Sequence, residues 1–129
     1  MGITLPNASR SAMADALVDL VDGGTTNTTG ELILYTSGDV AVATLAWTAT
    51  PAFGAAVNGV ATMNAINDDT NAAGGDLTGG YHAFEDRDNT EVWRGNVGTS
   101  ASDLNLSSLV IGATDTVSVS SYTVTQPAS

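Results

Sequence analysis

The segment of residues 52–70 most constrains what this chain can fold into, because it is built almost wholly from small side chains. Residues 97–106 have the same character further along the chain. Small side chains of this kind build shape and contact surface, and they supply few of the groups that enzymes use for chemistry. The sequence therefore favours a structural or binding protein, and we expect no catalytic activity.

The composition predicts one domain with a thin hydrophobic core. The chain has 129 residues and is 43% hydrophobic, but much of that fraction is alanine. Two Phe, two Trp and three Tyr supply most of the bulk, and there is no cysteine for a disulfide or a thiolate metal site. We therefore expect stability from backbone pairing, modest packing and self-association.

The charge balance is strongly acidic. Fourteen acidic residues stand against three arginines, Arg10, Arg87 and Arg94, which gives a net charge of −11. Such a chain cannot neutralise phosphates, so the charge argues against binding to nucleic acid and to anionic membranes. Two interpretations of the charge stay open: a partner surface with basic patches, or solubility through self-repulsion.

The apolar spacing predicts one helix, over about residues 9–22, before a Thr-rich linker at 25–30. Asn7 or Ser9 is the expected N-cap, and Gly23 is expected to end the helix. A helix this short must dock on something. The apolar stripe expected to do so contains Met13, Ala16, Leu17, Leu20 and Val21, with Asp15, Asp19 and Asp22 on the other side.

Beyond the linker, apolar and polar residues alternate with a period of two, as in β-strands. Residues typical of turns separate these short runs, which are rich in β-branched residues. This pattern favours a mainly β fold: an antiparallel β-sandwich, jelly-roll-like, with one N-terminal α-helix. Residues 1–29 would form the arm, helix and linker, and residues 30–129 the sandwich. The expected strands or apolar runs are 32–35, 40–47, 59–66, 81–85, 91–97, 104–111 and 116–126, with a polar loop at 68–80.

Two local features of the β region are specific enough to test. The clearest hairpin turns at residues 86–90, which would place Phe84 opposite Trp93. In the last predicted strand the apolar phase shifts at Ser120-Ser121, and a bulge there would accommodate the shift.

The candidate chemical groups are isolated. His82 is the only histidine, and a single His without cysteine cannot build a usual zinc site, so we expect a strand residue on a polar face. Asp86, Asp88 and Thr90 have the alternating oxygens of a calcium loop, but the glycine and glutamate that complete such a loop are missing. The Asp68-Asp69 pair is expected to be a solvated turn.

Two glutamates and three aromatic residues each have a functional and a structural interpretation. Glu85 and Glu91 flank the hairpin turn and resemble a glycosidase pair in type alone. Trp47 and Trp93 are expected to be the bulk of the core, although they and Tyr81 are also the residue types on which sugars stack. We therefore predict no catalytic residues, no metal and no cofactor.

Six segments taken together resemble a known family: residues 15–19, 30–38, 45–47, 51–66, 97–106 and 115–121. The chain resembles small β-rich structural proteins encoded in the virion modules of tailed bacteriophages and prophages. One departure is a short connection after the first strand, where residues 37–39 lead directly to Val40 and the family has a longer loop rich in Pro and Asp.

This resemblance implies a non-enzymatic virion component. The first hypothesis is a capsid decoration (cement) protein that binds the major capsid protein on the outer shell, made in the host cytoplasm and located on the capsid surface. A homo-oligomer, trimer or dimer, would fit repeated capsid sites. The alternatives are a tail or neck adaptor or fibre-associated module, and a carbohydrate-binding domain for host adsorption. The expected partner contacts are Met13, Leu17, Leu20 and Arg10.

Overall fold

The computed structural model describes residues 2–128, and within them the protein is mainly β with one N-terminal helix, as the sequence predicts. Helix α1 spans Asn7–Asp19 and continues as a 3-10 turn over Leu20–Asp22. The strands are β1 (Glu31–Tyr35), β2 (Ala41–Ala46), β3 (Val60–Thr62), β4 (Gly75–Asp76), β5 (Tyr81–Glu85), β6 (Glu91–Gly98), β7 (Leu104–Asn105), β8 (Val110–Ile111) and β9 (Thr123–Thr125).

The largest sheet has five strands in the order β2-β1-β5-β6-β7. The first four pair antiparallel, and β7 pairs parallel to β6, which departs from the fully antiparallel expectation. The predicted β5–β6 hairpin is confirmed. Phe84 lies opposite Trp93 in its register, and the two ring centroids are 4.4 Å apart.

Two small sheets, β3–β9 and β4–β8, complete the β structure of the described chain. Isolated bridges attach the small-residue segment 52–70 to its surroundings, from Ile66 to Trp47 and from Asp69 to Val117, and the bridge from Phe53 to Met63 closes the segment on itself. Because most side chains in this segment are small, its backbone can approach neighbouring backbone closely without forming long strands. The structure therefore supports the mainly β class and leaves the sandwich topology as a hypothesis.

The core lies against one face of the five-stranded sheet and includes part of α1. Alternation along β1 directs Leu32 and Leu34 to this face, and the same alternation along β5 directs His82 and Phe84 to it. Helix and strands share one hydrophobic cluster. Its largest members are Leu32, Leu34, Leu45, Trp47, Phe53, Met63, Leu77, Phe84 and Leu104, and the helix contributes Ala14, Val18 and Val21.

The helix begins earlier than expected, and its predicted cap is wrong. The N-cap residue is Pro6, with extended backbone angles, and no side chain caps the first turn. The first bond of the helix runs from the N–H of Arg10 to the carbonyl oxygen of Pro6 at 3.1 Å, and neither Asn7 nor Ser9 accepts a bond from a first-turn amide. Past Asp22 the chain leaves the helix at Gly23, as predicted.

The shortest strands are the ones that the sequence predicted least well. Strand β4 lies inside the segment predicted as the polar loop 68–80, and the expected final strand is reduced to β9 with a bridge at Val117. The predicted phase shift agrees with the burial pattern, because Val117 and Val119 are buried while the next two residues, Ser120 and Ser121, are both exposed. The predicted bulge at Ser120-Ser121 is wrong, because no strand runs through residues 118–122.

Candidate functional surface

Polar side chains dock α1 on the rest of the protein. The Oγ of Ser11 accepts a hydrogen bond from the backbone N–H of Gly59 at 3.0 Å. One carboxylate oxygen of Asp15 accepts from the N–H of Ala56 at 2.7 Å, and one of Asp22 accepts from the N–H of Ala52 at 3.0 Å. The prediction that Asp15 and Asp22 lie away from the body is therefore wrong.

The reason for this orientation is the irregular segment that the helix covers. A backbone outside regular strands has N–H groups without ladder partners, and such groups need acceptors when they are buried. Asp15 and Asp22 supply these acceptors to the 52–59 segment. Burial raises the pKa of Asp22, and the hydrogen bond from Ala52 opposes that shift. The position of Asp22 at the end of the helix, unfavourable for the helix dipole, is thereby explained.

The apolar contact of the helix is made by Ala14, Val18 and Val21, which are all buried. Of the five residues in the predicted apolar stripe, only Val21 is buried in this contact. Because successive helical residues are separated by 100°, the row of Ala14 and Val18 is rotated away from the row of Met13 and Leu20. The predicted docking face was therefore wrong in phase, and the polar contacts explain why.

The consequence is an exposed apolar surface on the helix. Met13 is 46% exposed, Leu20 is 57% exposed, and Leu17 between them is half-buried. We call these three residues the exposed flank. These three and Arg10 were the residues predicted to contact a partner, and the structure places the three apolar ones on one side of α1.

Arg10 is engaged within the protein. Its Nε donates to the carbonyl oxygen of Gln126 at 2.9 Å, and its Nη1 donates to Oδ1 of Asn7 at 3.0 Å. These bonds tie the start of the helix to the C-terminal segment. Arg10 therefore has a structural role, which the sequence did not indicate.

His82 lies in the core, not on the polar strand face that we expected. Its side chain is fully buried beside Phe84, and the two rings pack edge to face with their centroids 5.8 Å apart. Nδ1 lies 3.0 Å from the carbonyl oxygen of Asn96, and Nε2 lies 2.8 Å from the hydroxyl of Tyr122. Burial lowers the pKa of His82, while the Asn96 carbonyl and the nearby Asp103 oppose that shift.

The aromatic residues form one cluster around Phe84. Trp93 stacks on Phe84, Tyr122 meets it edge-on at 4.8 Å, and Trp47 lies 6.0 Å away. Trp47 is buried, which fits the prediction that it forms the bulk of the core. Trp93 is half-buried with one ring face on Phe84.

Tyr81 is also covered by neighbouring side chains. Its ring stacks on Tyr35 from β1, with centroids 5.0 Å apart, and the guanidinium carbon of Arg94 from β6 lies 4.1 Å from its centroid. Since β1 and β6 flank β5, these contacts lie on opposite sides of Tyr81. None of the three rings named for sugar stacking presents two open faces.

The two glutamates of the hairpin interact with neighbouring residues of the sheet. Glu85 accepts a hydrogen bond from the Tyr35 hydroxyl at 2.8 Å, and Glu91 forms a 2.8 Å ion pair with Arg94. Glu31 lies opposite Glu85 in the β1–β5 register. Burial raises the pKa of Glu31, and the charge of Glu85 adds to that effect.

Asp86 and Asp88, which have only part of the calcium-loop pattern, bind backbone N–H groups. Asp86 accepts from the amides of Asp88 and Thr90, which closes the hairpin turn. Asp88 accepts from the amides of Thr25 and Thr26, both at 2.9 Å, and these bonds lower the pKa of Asp88. The Thr-rich linker is therefore held against the β5–β6 turn. Within residues 2–128, no three acidic or histidine side chains are grouped to hold a metal ion.

This use of aspartate recurs through the molecule, and the sequence analysis missed it. Aspartate oxygens accept backbone N–H bonds in loops that are distant from one another in sequence, so part of the acidic composition serves to anchor irregular backbone. Short local patterns such as Asp-x-Thr indicated some of these sites, but the long-range partners had no sequence signal. Eight of the eleven aspartates accept hydrogen bonds from backbone N–H groups: Asp15, Asp22, Asp69, Asp76, Asp86, Asp88, Asp103 and Asp115.

The described residues contain no helix long and apolar enough to cross a membrane. Two surface features available to a partner are the exposed flank of α1 and a polar groove beside β7, which is lined by residues 103–107 and 118–123. In comparisons with known proteins, the chain matches no family model, no curated protein and no solved structure.

Proposed function

We propose that this protein is a non-enzymatic virion structural protein, a capsid decoration protein that binds the outer surface of the major capsid protein shell. The observation that carries the proposal is the orientation of α1. The helix docks through Ser11, Asp15 and Asp22, and this orientation leaves apolar side chains of the exposed flank available to another molecule.

The exposed flank has the chemistry of a contact site. Met13 and Leu20 lie two helical turns apart with Leu17 between them, so one groove on a partner can receive all three side chains. Burying an apolar side chain of this size contributes about 1.5–3 kcal/mol. The acidic character of the chain favours a partner whose groove is rimmed by basic residues.

The rest of the molecule suits attachment to a lattice. Aspartate–amide bonds fix its loops, so the body can add a rigid contact surface without undergoing a large change on binding. A trimer or dimer would bind several capsid subunits at once and raise the avidity. The resemblance to phage virion proteins favours the same role, with synthesis in the host cytoplasm and a final location on the capsid surface.

The finer architecture is part of this proposal. We propose a sandwich of jelly-roll type, antiparallel except for the β6–β7 pair, in which the second layer consists of β3–β9, β4–β8 and the loops that connect them. The support is the position of the core against one face of the five-stranded sheet, which those elements cover.

A binding assay with capsids that lack this protein tests the function. Purified protein should co-sediment with such capsids, and the double substitution Met13→Gln and Leu20→Gln should reduce binding at least tenfold. The reason is that two apolar contacts worth more than 1.4 kcal/mol together would be lost. The matched control is Val110→Gln, which changes a side chain that is 66% exposed outside the helix and should bind normally.

Three results would contradict the proposal or the anchor that it names. Wild-type protein that does not bind capsids at all would exclude the decoration role. Binding confined to tails, seen by electron microscopy of labelled protein, would favour the adaptor role. If the wild type binds and the double variant binds equally well, the exposed flank is not the anchor.

A further inference from the structure

A groove of about 490 Å³ is lined by two segments of the chain, residues 103–107 and 118–123. Its lining is partly apolar, with Leu104, Leu106, Val119 and Tyr122, and the polar part of the lining includes serines and Asp103. This polar groove lies away from the exposed flank in sequence and shares no residue with it.

One wall of the polar groove is the free edge of the large sheet. Strand β7 is the last strand in the sheet order and pairs on one side with β6. The N–H of Leu106 donates to the carbonyl oxygen of Gly98 at 2.8 Å, so Leu106 turns its backbone toward β6. Since backbone groups alternate in direction along a strand, those of Asn105 point away from β6 and into the polar groove.

The opposite wall is a segment whose backbone has no partner. Within residues 2–128, no hydrogen bond joins the backbone of Ser118–Ser121 to another protein group. The segment is nevertheless held at both ends. The N–H of Val117 donates to the carbonyl oxygen of Asp69 at 2.8 Å, and the carbonyl oxygen of Tyr122 accepts from the N–H of Met63 at 2.8 Å.

We propose that the polar groove binds one extended strand of a partner polypeptide. The strand would lie between β7 and residues 118–121, and it would pair with Asn105 on one side and with the unpartnered backbone on the other. Addition of a strand to a sheet edge gives affinity through main-chain hydrogen bonds. It would also cover the exposed edge of β7, which otherwise is open to unwanted pairing.

The charges and the sizes of the lining side chains define the partner strand. The only charged residue in the lining is Asp103, and the whole chain carries a net charge of −11, so a basic strand is favoured and an acidic one is repelled. This charge also disfavours a second copy of the chain as the occupant. Small serine side chains on the wall leave room for β-branched residues of the incoming strand.

The test is an NMR titration of the full-length protein with a six-residue peptide of alternating valine and threonine, capped by an arginine at each end. We expect saturable shifts of the backbone amides of Asn105 and Ser118–Ser121, and slower hydrogen exchange at those that become paired. The helix amides should not move, which separates this site from the exposed flank and from the proposed capsid role.

Two matched peptides keep the test specific. A peptide with the same side chains but with N-methylated amides on alternate residues should bind at least about tenfold more weakly, because it lacks half of its backbone donors. A peptide with glutamate in place of arginine should also bind more weakly, and this difference should shrink at high salt.

Three outcomes would overturn the proposal. The first is no shift at millimolar peptide, and the second is equal binding of the N-methylated peptide. The third is perturbation of the same amides by maltotriose but not by the peptide, which would make the polar groove a glycan site.

Discussion

The hydroxyl of Tyr122 donates a hydrogen bond to Nε2 of His82 at 2.8 Å, and this contact fixes the tautomer of the only histidine. Nδ1 of His82 faces the carbonyl oxygen of Asn96, which can only accept, so Nδ1 carries the proton. In the neutral ring Nε2 is then the acceptor, and Tyr122 must donate to it. Nε1 of Trp93 donates to the same hydroxyl at 3.4 Å.

Loss of the Tyr122 hydroxyl should destabilise the fold. In Tyr122→Phe, Nε2 of His82 becomes a buried acceptor without a partner, and this costs about 1–3 kcal/mol in the free energy of unfolding. Urea denaturation of wild type and variant measures the difference. The control is Tyr81→Phe, whose hydroxyl binds Asp39 at the exposed surface and whose loss should cost less than about 0.5 kcal/mol. Equal effects of the two substitutions would contradict the role given to Tyr122.

The burial of His82 predicts a pH dependence of stability. Because the folded protein holds the pKa of His82 below its ordinary value of about 6.5, the unfolded chain binds more protons below that pH. The free energy of unfolding should therefore be highest above about pH 6.5 and fall as the pH is lowered through this value toward the folded pKa.

Chemical denaturation at several pH values measures this slope. The variant His82→Gln, which keeps a donor and an acceptor but does not titrate, should lose the slope at about pH 6.5. Asp22 and Glu31, whose pKa values burial raises, change the free energy of unfolding in the opposite sense at the lower pH where carboxylates titrate, so the comparison is made at about pH 6.5. If the free energy of unfolding of His82→Gln keeps the same pH dependence, a group other than His82 causes it.

The polar docking of α1 predicts different effects for two aspartates of the same helix. Asp15→Ala removes the acceptor for the N–H of Ala56 and should cost about 1–2 kcal/mol, since a half-buried amide loses its partner. Asp19→Ala changes an exposed residue and should stay within about 0.5 kcal/mol of the wild type. Thermal or urea unfolding distinguishes them. If both are neutral, the apolar contacts of Val18 and Val21 hold the helix without this bond.

Gly95 is predicted to be required beside His82. A Cβ at this position would lie 2.7 Å from Cε1 of His82 and 2.8 Å from Oδ2 of Asp103, so Gly95→Ala should destabilise by about 1–3 kcal/mol. The control is Gly38→Ala, where the nearest atom would be 3.8 Å away. Tryptophan fluorescence during urea unfolding measures both, and a neutral Gly95→Ala would show that the histidine ring can shift at little cost.

The strongest periodic signals predicted the fold best. The β5–β6 hairpin, with Phe84 opposite Trp93, followed from alternating apolar residues on both sides of a turn rich in Asp and Asn. The phase shift at Ser120-Ser121 was also visible in sequence, since every second residue of a strand lies on the same face. Strand β4, only two residues long and rich in glycine, gave no such signal.

The sequence alone determined the local elements: one helix, short strands, their turns, and the shortage of bulky core residues. Tertiary structure decided which side of each element is buried. The apolar stripe of α1 predicted docking through Met13 and Leu20, but the irregular 52–59 segment needs acceptors for its amides, and Asp15 and Asp22 supply them. Likewise, only the meeting of β5 with residue 122 gives His82 a hydroxyl partner and a place in the core. Such hydrogen bonds join residues far apart in the chain, and their demand for partners overrode the local pattern.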